Sequence, residues 1–314
     1  MPDFPRYLKT ITVAVALGTL AVVGSACSSN SSSSSTTGVS ATTVPLPTTV
    51  IPPQVANPAI AATVPSAIKS AGAITVALDA SYPPDELIGS DGKSIVGMDA
   101  DLSNAIAQTM GLKAKLVNAT FDTIIPGLVA NKYGMGASSF TDTLARQKVV
   151  DFVDYFSAGE AFYVKKGSAT TFGGIVSLCG HSVAVEAGTT EDSDAKAQGA
   201  KCVAGGKGKV TVLTFNNQSQ ANLAVSSGRA DVGFADSQLA GYIVTTSNGV
   251  FETSGSPFAL APYGLALPKG NGMAAPVKAA VDALIADGVY GQILAKWGVQ
   301  AGAIPTASIN GATS

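Results

Sequence analysis

Arg146 carries the most distinctive chemistry in this sequence. It closes the run Ser138-Ser139-Phe140-Thr141-Asp142-Thr143-Leu144-Ala145-Arg146, where hydroxyls gather around a single arginine. A guanidinium presents a planar fork that matches a carboxylate bidentately, and nearby hydroxyls and backbone N–H groups complete an anion site. An isolated arginine otherwise serves in a surface ion pair. Other chemistries fail on residue type. There is one histidine, His181, and there are three cysteines. A zinc site needs clustered His and Cys, and a hydrolase triad would have to be built on His181. Gly206-Lys207 is followed by Gly208, so no Walker loop forms. Ser66-Ala67-Ile68-Lys69 fits S-x-x-K but has no SDN or KTG partner, and GxSxG and HExxH are absent. No metal, cofactor or catalytic residue is expected.

The elements that position Arg146 must come from 314 residues, enough for about two domains. The 46% hydrophobic content excludes a wholly disordered chain. Nineteen basic against 21 acidic side chains leave a net charge of -2, which argues against nucleic acid as the main partner.

The ends read as lying outside the fold. Arg6 and Lys9 precede an apolar run from Ile11 to Ala26, about 16 residues and short of the roughly 20 a spanning helix needs. Basic residues, an apolar stretch and small residues at Gly24-Ser25-Ala26 read as a secretory signal over 1–26. Cys27 follows directly and resembles the lipidated cysteine of a bacterial lipobox, although Gly24 stands where Leu or Val is usual. The alternative is an ordinary signal followed by an unrelated cysteine. Lipidation implies an exported protein anchored to the outer face of the cell membrane. Residues 27–69, rich in Ser, Thr and Pro, read as a tether, and 306–314 as a flexible tail.

Export implies an oxidising compartment, so Cys179 and Cys202 are expected to pair. The loop they close is about 24 residues, worth roughly 3 kcal/mol in the chain-entropy account. Two buried free thiols are the alternative. Between the ends, strands alternate with helices: Ala73 to Leu78, a helix carrying Leu102, Ile106 and Met110, Lys115 to Val117, and a helix over Ile124 to Val129. Val149 to Val153 and Ala161 to Val164 read as separate strands. A second series begins at Val183 and runs through Val210 to Leu213, a helix around Gln220 to Ser226 and Val232 to Ala235. Gly264 to Leu267 is a late strand, and Trp297 packs a late helix. The pattern predicts two α/β lobes.

From Ile74 onward the chain resembles the family 3 solute-binding proteins, the polar amino-acid receptors of ABC importers. The resemblance rests on Leu78-Asp79-Ala80-Ser81-Tyr82-Pro83-Pro84-Asp85, Gly97-Met98-Asp99-Ala100-Asp101-Leu102, and Phe121-Asp122 with Ile124-Ile125-Pro126. It continues through Thr141 to Arg146, Asp151-Phe152, Val185 to Thr190, Gly228 to Asp231 and Ala235-Asp236, in the family's order. It implies a two-lobed periplasmic-binding-protein-like (type II) α/β fold with a two-strand hinge and a central ligand cleft. Lobe 1 would span 70–160 and return over 261–305, with lobe 2 over 161–260. Arg146 would clamp the α-carboxylate of an amino acid, assisted by Thr141, the Ser139 backbone and Thr190 at a helix N-terminus. Asp236 would receive the α-ammonium. Tyr82 and Phe121 would sandwich the side chain, unless they only pack the core. Asp79 would sit at the C-terminal end of the first strand, where open sheets place ligands.

The sequence departs from the family at four places. Asp85 replaces the usual aromatic, Glu186 stands where the family's glutamine receptors often carry a Lys, Gly134 where Asp is common and Ala145 where Glu is common. Asp85 and Glu186, with Asp79, would make the pocket acidic and favour a polar neutral or cationic amino acid, because like charges repel in a desolvated site. If Asp85 and Glu186 point to solvent instead, they say nothing about selectivity. The implied partners are an ABC permease with its ATPase subunits, and a monomer is the default. Rival functions are a surface amino-acid sensor and a small-molecule lyase or dehydratase on the same scaffold.

Overall fold

The computed structural model describes residues 45–313, so the apolar leader, Cys27 and the first part of the tether lie outside the described residues. Two short helices, α1 (Pro58–Thr63) and α2 (Ser66–Ala71), precede β1 (Ala73–Leu78). A small antiparallel sheet follows, of β2 (Ser81–Tyr82), β3 (Glu86–Ile88) and β4 (Ile95–Val96). Next come α3 (Met98–Thr109), β5 (Lys113–Asn118), α4 (Phe121–Val129), β6 (Met135–Gly136) and the long β7 (Val150–Lys165). The second series is β8 (Ser182–Glu186), α5 (Thr190–Ala204), β9 (Thr211–Phe215), α6 (Gln218–Ser226), β10 (Val232–Asp236) and α7 (Ser237–Thr246). The 18-residue β11 (Phe251–Pro268) leads back to α8 (Ala274–Ala286), α9 (Val289–Trp297) and β12 (Ser308–Ile309).

The large sheet has the order β5-β1-β6-β11-β7-β10-β8-β9, with β12 added on β7. Its two ends are parallel: β1 pairs β5 from Ala73↔Lys113 to Leu78↔Asn118, and β8 pairs β9 from Ser182↔Thr211 to Glu186↔Phe215. The antiparallel pair β7 and β11 joins them, giving two lobes around a two-strand hinge. The two strands expected at Val149 to Val153 and Ala161 to Val164 are one strand. The stretch between them contains Asp154, Gly159 and Glu160, which break the apolar alternation; the β11 ladder supplies the order that pattern does not. Register shifts in that ladder fall between Ser254 and Phe258, between Phe258 and Ala261, and between Tyr263 and Gly264.

Each lobe has its own core. Val76, Leu78, Leu102, Ile106, Leu265 and Val281 belong to one, and Phe162, Val183, Val185, Val232 and Phe234 to the other. Trp297 packs into the first core from α9 and donates its Nε1–H to Asp101 at 2.7 Å, tying α9 to α3. Cys179 and Cys202 form a disulfide, with Cα atoms 5.6 Å apart, that fastens the C-terminal part of α5 to the segment before β8.

Both ends of the fold are longer than expected. The tether assignment reached residue 69, yet Ile60 and Val64 are buried in the first core, and Leu46 and Ile51 pack against it. The Asn57 N–H donates to Thr109 O at 2.9 Å and the Gln54 N–H to Gln108 Oε1 at 2.6 Å. A Pro/Thr-rich stretch cannot build a core of its own, but its isolated Ile and Val side chains dock on one that exists, and Pro58 suits the first turn of α1. The tail assigned to 306–314 also fails: β12 pairs β7 at Ser308↔Asp154 and Ile309↔Val153, and Ala307 is buried.

Candidate ligand-binding site

The two lobes bring Asp79, Tyr82, Phe121, Ser139, Thr141, Arg146, Glu186, Thr190 and Asp236 around one cavity of about 290 Å³. All nine residues singled out in the sequence line it. Ser138, Thr189 and Glu191 line it too and were not anticipated.

Arg146 opens a single 3₁₀ turn, Arg146–Lys148, in the loop that leads into β7. Its Nη1 donates to Thr141 O at 2.8 Å, within its own loop, and its Nη2 to Gly188 O at 2.9 Å, across the cleft. The guanidinium carbon lies 5.6 Å from the Phe121 ring centroid and 5.7 Å from that of Phe140. These rings are themselves stacked at 4.5 Å, so Arg146 rests on an aromatic base that fixes its plane. Burial draws its pKa down, against the attraction of Glu191, Asp236 and Asp142.

The opposite wall is a helix start. Thr189 caps α5, its Oγ1 accepting the Asp192 N–H at 3.1 Å and donating to Glu186 O at 2.9 Å. Thr190 therefore occupies the first position of a 15-residue helix, where free N–H groups and the helix dipole favour an anion. Its hydroxyl is 3.4 Å from that of Thr141, across the cleft. Arg146 and the first turn of α5 thus face each other across the cleft.

Carboxylic acids form the rest of the wall. Asp79 ends β1; its Oδ1 accepts the Ser81 N–H at 3.1 Å and its Oδ2 the Phe121 N–H at 2.9 Å, which caps α4. Asp236 ends β10, and burial pushes its carboxyl up to about 6. Glu191 and Glu186 are raised further, first by burial and then by neighbouring carboxylates: Asp236 and Glu160 for Glu191, Asp79 and Asp122 for Glu186. No donor reaches either oxygen of Glu186 or Oε1 of Glu191. The cavity therefore holds four carboxyls against one guanidinium, with uncommitted acceptor oxygens. Such a wall suits a ligand with one carboxylate and more than one cationic donor.

Tyr82 and Phe121 both face the cavity, but not as two bare platforms. The Tyr82 hydroxyl is held by Asp236, and one face of Phe121 is taken by Phe140. Asp85 was expected to make the pocket acidic. It is fully buried but does not line the cavity, because its carboxyl turns behind Ser139, whose hydroxyl it accepts at 2.9 Å. Glu186 does line it. Gly134, at a position where Asp is common in relatives of this motif, has Ile74 packed where a side chain would start, so a larger residue is excluded by the β1 neighbour.

The family model for bacterial extracellular solute-binding proteins, family 3, matches residues 74–300. The chain is 34% identical over 254 residues to the arginine-binding protein ArgT of Corynebacterium glutamicum, covering 81% of this chain and 83% of that one. It is 33% identical over 232 residues to an L-arginine-binding protein of Pseudomonas aeruginosa, covering 71% and 87%. Among solved structures, an ancestral arginine-binding protein bound to arginine superposes with a TM-score of 0.67 at 34% identity, covering 72% of this chain and 98% of that one. An ancestral arginine-binding protein bound to glutamine gives 0.66, also at 34% identity, covering 73% and 98%. With the lobes, hinge and cavity in place, these matches settle the affiliation: the chain belongs to family 3 of the bacterial extracellular solute-binding proteins.

Proposed function

We propose that this protein is the substrate-binding subunit of an amino-acid ABC importer, and that its ligand is a cationic L-amino acid, arginine above all. The observation that carries the reading is the polarity of the cavity. A carboxylate site at Arg146 and the start of α5 lies in the same cavity as Glu186, whose two oxygens have no donor. In this reading the α-carboxylate binds Arg146, Thr141, the Ser139 backbone and the Thr190 N–H. The α-ammonium binds Asp236 and Glu191, and the cationic side chain runs over Phe121 and Tyr82 towards Glu186 and Asp79. Relatives named for arginine support this choice, and the glutamine complex of an ancestral protein keeps a neutral polar ligand within reach.

Lobe 1, over 70–160 and 261–305, and lobe 2, over 161–260, close on the ligand by bending β7 and β11, because each lobe holds part of the contacts. The loaded protein docks on a membrane permease. Cys27 carries a lipid that keeps it at the outer face of the membrane.

Thermal unfolding against the twenty amino acids tests the reading. A ligand at 100 times its dissociation constant adds about 2.7 kcal/mol, a rise of several degrees. Arginine is expected to give the largest shift, lysine and glutamine smaller ones, and Arg146→Ala to abolish all three. A shift with glutamate equal to or above that with arginine overturns the assignment of a cationic ligand.

A further inference from the structure

Behind the cavity floor, Asp85, Glu86 and Asp99 are all 0% exposed, and among the described residues no basic side chain is bonded to any of them. Gly97 sets this up. At φ +139° it occupies a conformation that side chains rarely adopt, and a Cβ there would strike the Asp85 backbone. The close approach lets the Met98 N–H donate to Pro84 O at 3.1 Å and the Asp99 N–H to Asp85 O at 2.9 Å. The start of α3 is thereby pinned against Asp85 and Glu86.

The three acids have different partners. Asp99 accepts the Tyr155 hydroxyl at 2.5 Å and the Ser139 N–H at 2.8 Å. Glu86 accepts the Ser138 hydroxyl at 2.6 Å. Both therefore brace the 138–139 loop from inside lobe 1. Asp85 also reaches the other lobe. Its Oδ2 accepts the Ser139 hydroxyl at 2.9 Å and, from α7, the Gln238 Nε2–H at 2.8 Å. The same Nε2 donates to the Tyr263 hydroxyl on β11 at 2.6 Å. Gln238 lies two residues beyond Asp236, and Ser139, held at φ +49°, lines the ligand cavity.

We propose that Asp85 and Gln238 form an interlobe latch that joins the ligand-contacting loop of lobe 1 to the helix following Asp236 in lobe 2, and so sets how long the cleft stays closed. The inference rests on the binding function proposed above. A bond between Oδ2 and Nε2 forms only with the lobes together, and opening the hinge carries Gln238 away with α7. One carboxyl oxygen shared by Ser139 and Gln238 makes closure and the placement of Ser139 a single event. Burial beside Asp99 holds the Asp85 carboxyl well above the ordinary carboxylate range. A neutral amide is therefore its nearest mimic, able to offer one oxygen to both donors. The aromatic residue usual at this position in the family's motif has no such acceptor. Asp85 and Gln238 are positioning residues that act through Ser139 and the hinge.

Arginine binding kinetics and small-angle scattering of the ligand-free chain test the latch in Asp85→Ala, Gln238→Ala, their double variant and Asp85→Asn. Each alanine variant is expected to raise the arginine dissociation rate about tenfold, the loss of one hydrogen bond in a buried site. The double variant should raise the rate by clearly less than the product of the two single effects, because both remove the shared bond while each also loses one of its own. Asp85→Asn should restore the slow dissociation. Both alanine variants should scatter with a larger radius of gyration than the wild type and Asp85→Asn. Dissociation rates within twofold of wild type in either alanine variant, additive effects in the double variant, or no rescue by asparagine overturn the latch. If the wild type binds no arginine, the functional reading fails by itself. The scattering comparison then decides the latch alone, and equal radii across all the variants overturn it.

Discussion

The Tyr82 hydroxyl donates to Asp236 Oδ2 at 2.6 Å, and the Asp236 N–H donates back to the Tyr82 oxygen at 3.2 Å. A residue of the 81–84 turn thus holds, across the cleft, the carboxylate assigned to the ligand ammonium. In the proposed binding mode an incoming ammonium shares or takes over that oxygen, so Asp236 would serve binding at the expense of the protein's own stability. Its carboxyl, raised by burial to about 6, is ionised at pH 7.5 in a site that disfavours the charge. Asp236→Asn is expected to raise the unfolding temperature of the ligand-free protein at that pH. It should also weaken arginine binding by at least ~2 kcal/mol, roughly thirtyfold. Calorimetry and titration on the same sample check both signs, and a variant that binds arginine as the wild type does would remove Asp236 from the site.

Glu186 should set the choice between cationic and neutral ligands. Its two oxygens are buried and without donors among the described residues, and burial, then the like charge of Asp79, raises its carboxyl. A guanidinium supplies a positive charge and five N–H donors, two of them parallel, where a glutamine amide supplies two donors and no charge. Glu186→Gln is therefore expected to cost arginine about 2 kcal/mol or more while leaving glutamine affinity unchanged or improved. Competition between the two ligands measures the ratio directly. An equal loss for both would mean that Glu186 shapes the cavity without reading charge.

Residues tied to local motifs were legible in the sequence. Arg146 with its hydroxyls, Thr190 after a Gly-Thr turn, and Asp79 and Asp236 at strand ends all face one cavity, because β-strand ends and helix starts fix direction locally. Glu191 was not legible, since an acid in the first turn of a helix is already accounted for by the helix dipole. Asp85 was misplaced because a cavity-facing and a cavity-backing carboxylate have the same sequence signature. Which one results depends on Gly97 closing α3 onto the 85–86 backbone. The ordered segments 45–69 and 307–313 were invisible because their stability lies in surfaces formed by distant residues, α3 and α8 for one and β7 for the other.

The buried acids give the ligand-free protein an acidic stability optimum. Burial raises Asp99, Asp154 and Asp236 to about 6 each, and Glu160 to about 8. A group whose pKa is higher in the folded than in the unfolded chain stabilises the fold fully below its unfolded value. That contribution is lost as pH rises through the folded value. Stability should fall between about pH 5 and 8. Asp151, Asp231 and Asp282 are shifted down, so their contribution is present above the ordinary Asp value and is lost on further acidification. The maximum therefore lies near the ordinary carboxylate values, about pH 4. Scanning calorimetry should show the unfolding temperature several degrees lower at pH 8 than at pH 5, with the difference reduced by saturating arginine, which places cations beside Asp236 and Glu186. A profile that rises from pH 5 to 8 would mean that these carboxyls are paired and ionised in the fold.

The C-terminal strand should support the anion loop as well as the sheet. Asp154 Oδ2 accepts the Ser308 hydroxyl at 2.6 Å and the Gly311 N–H at 3.0 Å, and the Phe152 N–H donates to Asn310 Oδ1 at 2.8 Å. One bond goes further: the Ala312 N–H donates to Asp142 Oδ2 at 3.1 Å. Asp142 also accepts Gln147 Nε2 at 2.9 Å, which closes the Thr141–Arg146 loop on itself. Ending the chain after Ala307 removes these contacts and leaves the Asp154 carboxyl without its two donors, a loss of about 1–3 kcal/mol for a buried acceptor. Arginine affinity should drop a few-fold, because the loop that aims Arg146 loses its outer support while every cavity residue stays in place. Asp142→Asn, which retains one acceptor oxygen, should fall between the truncated and full-length chains in both stability and affinity. A truncated chain that loses stability but keeps full arginine affinity would confine the strand to a structural role.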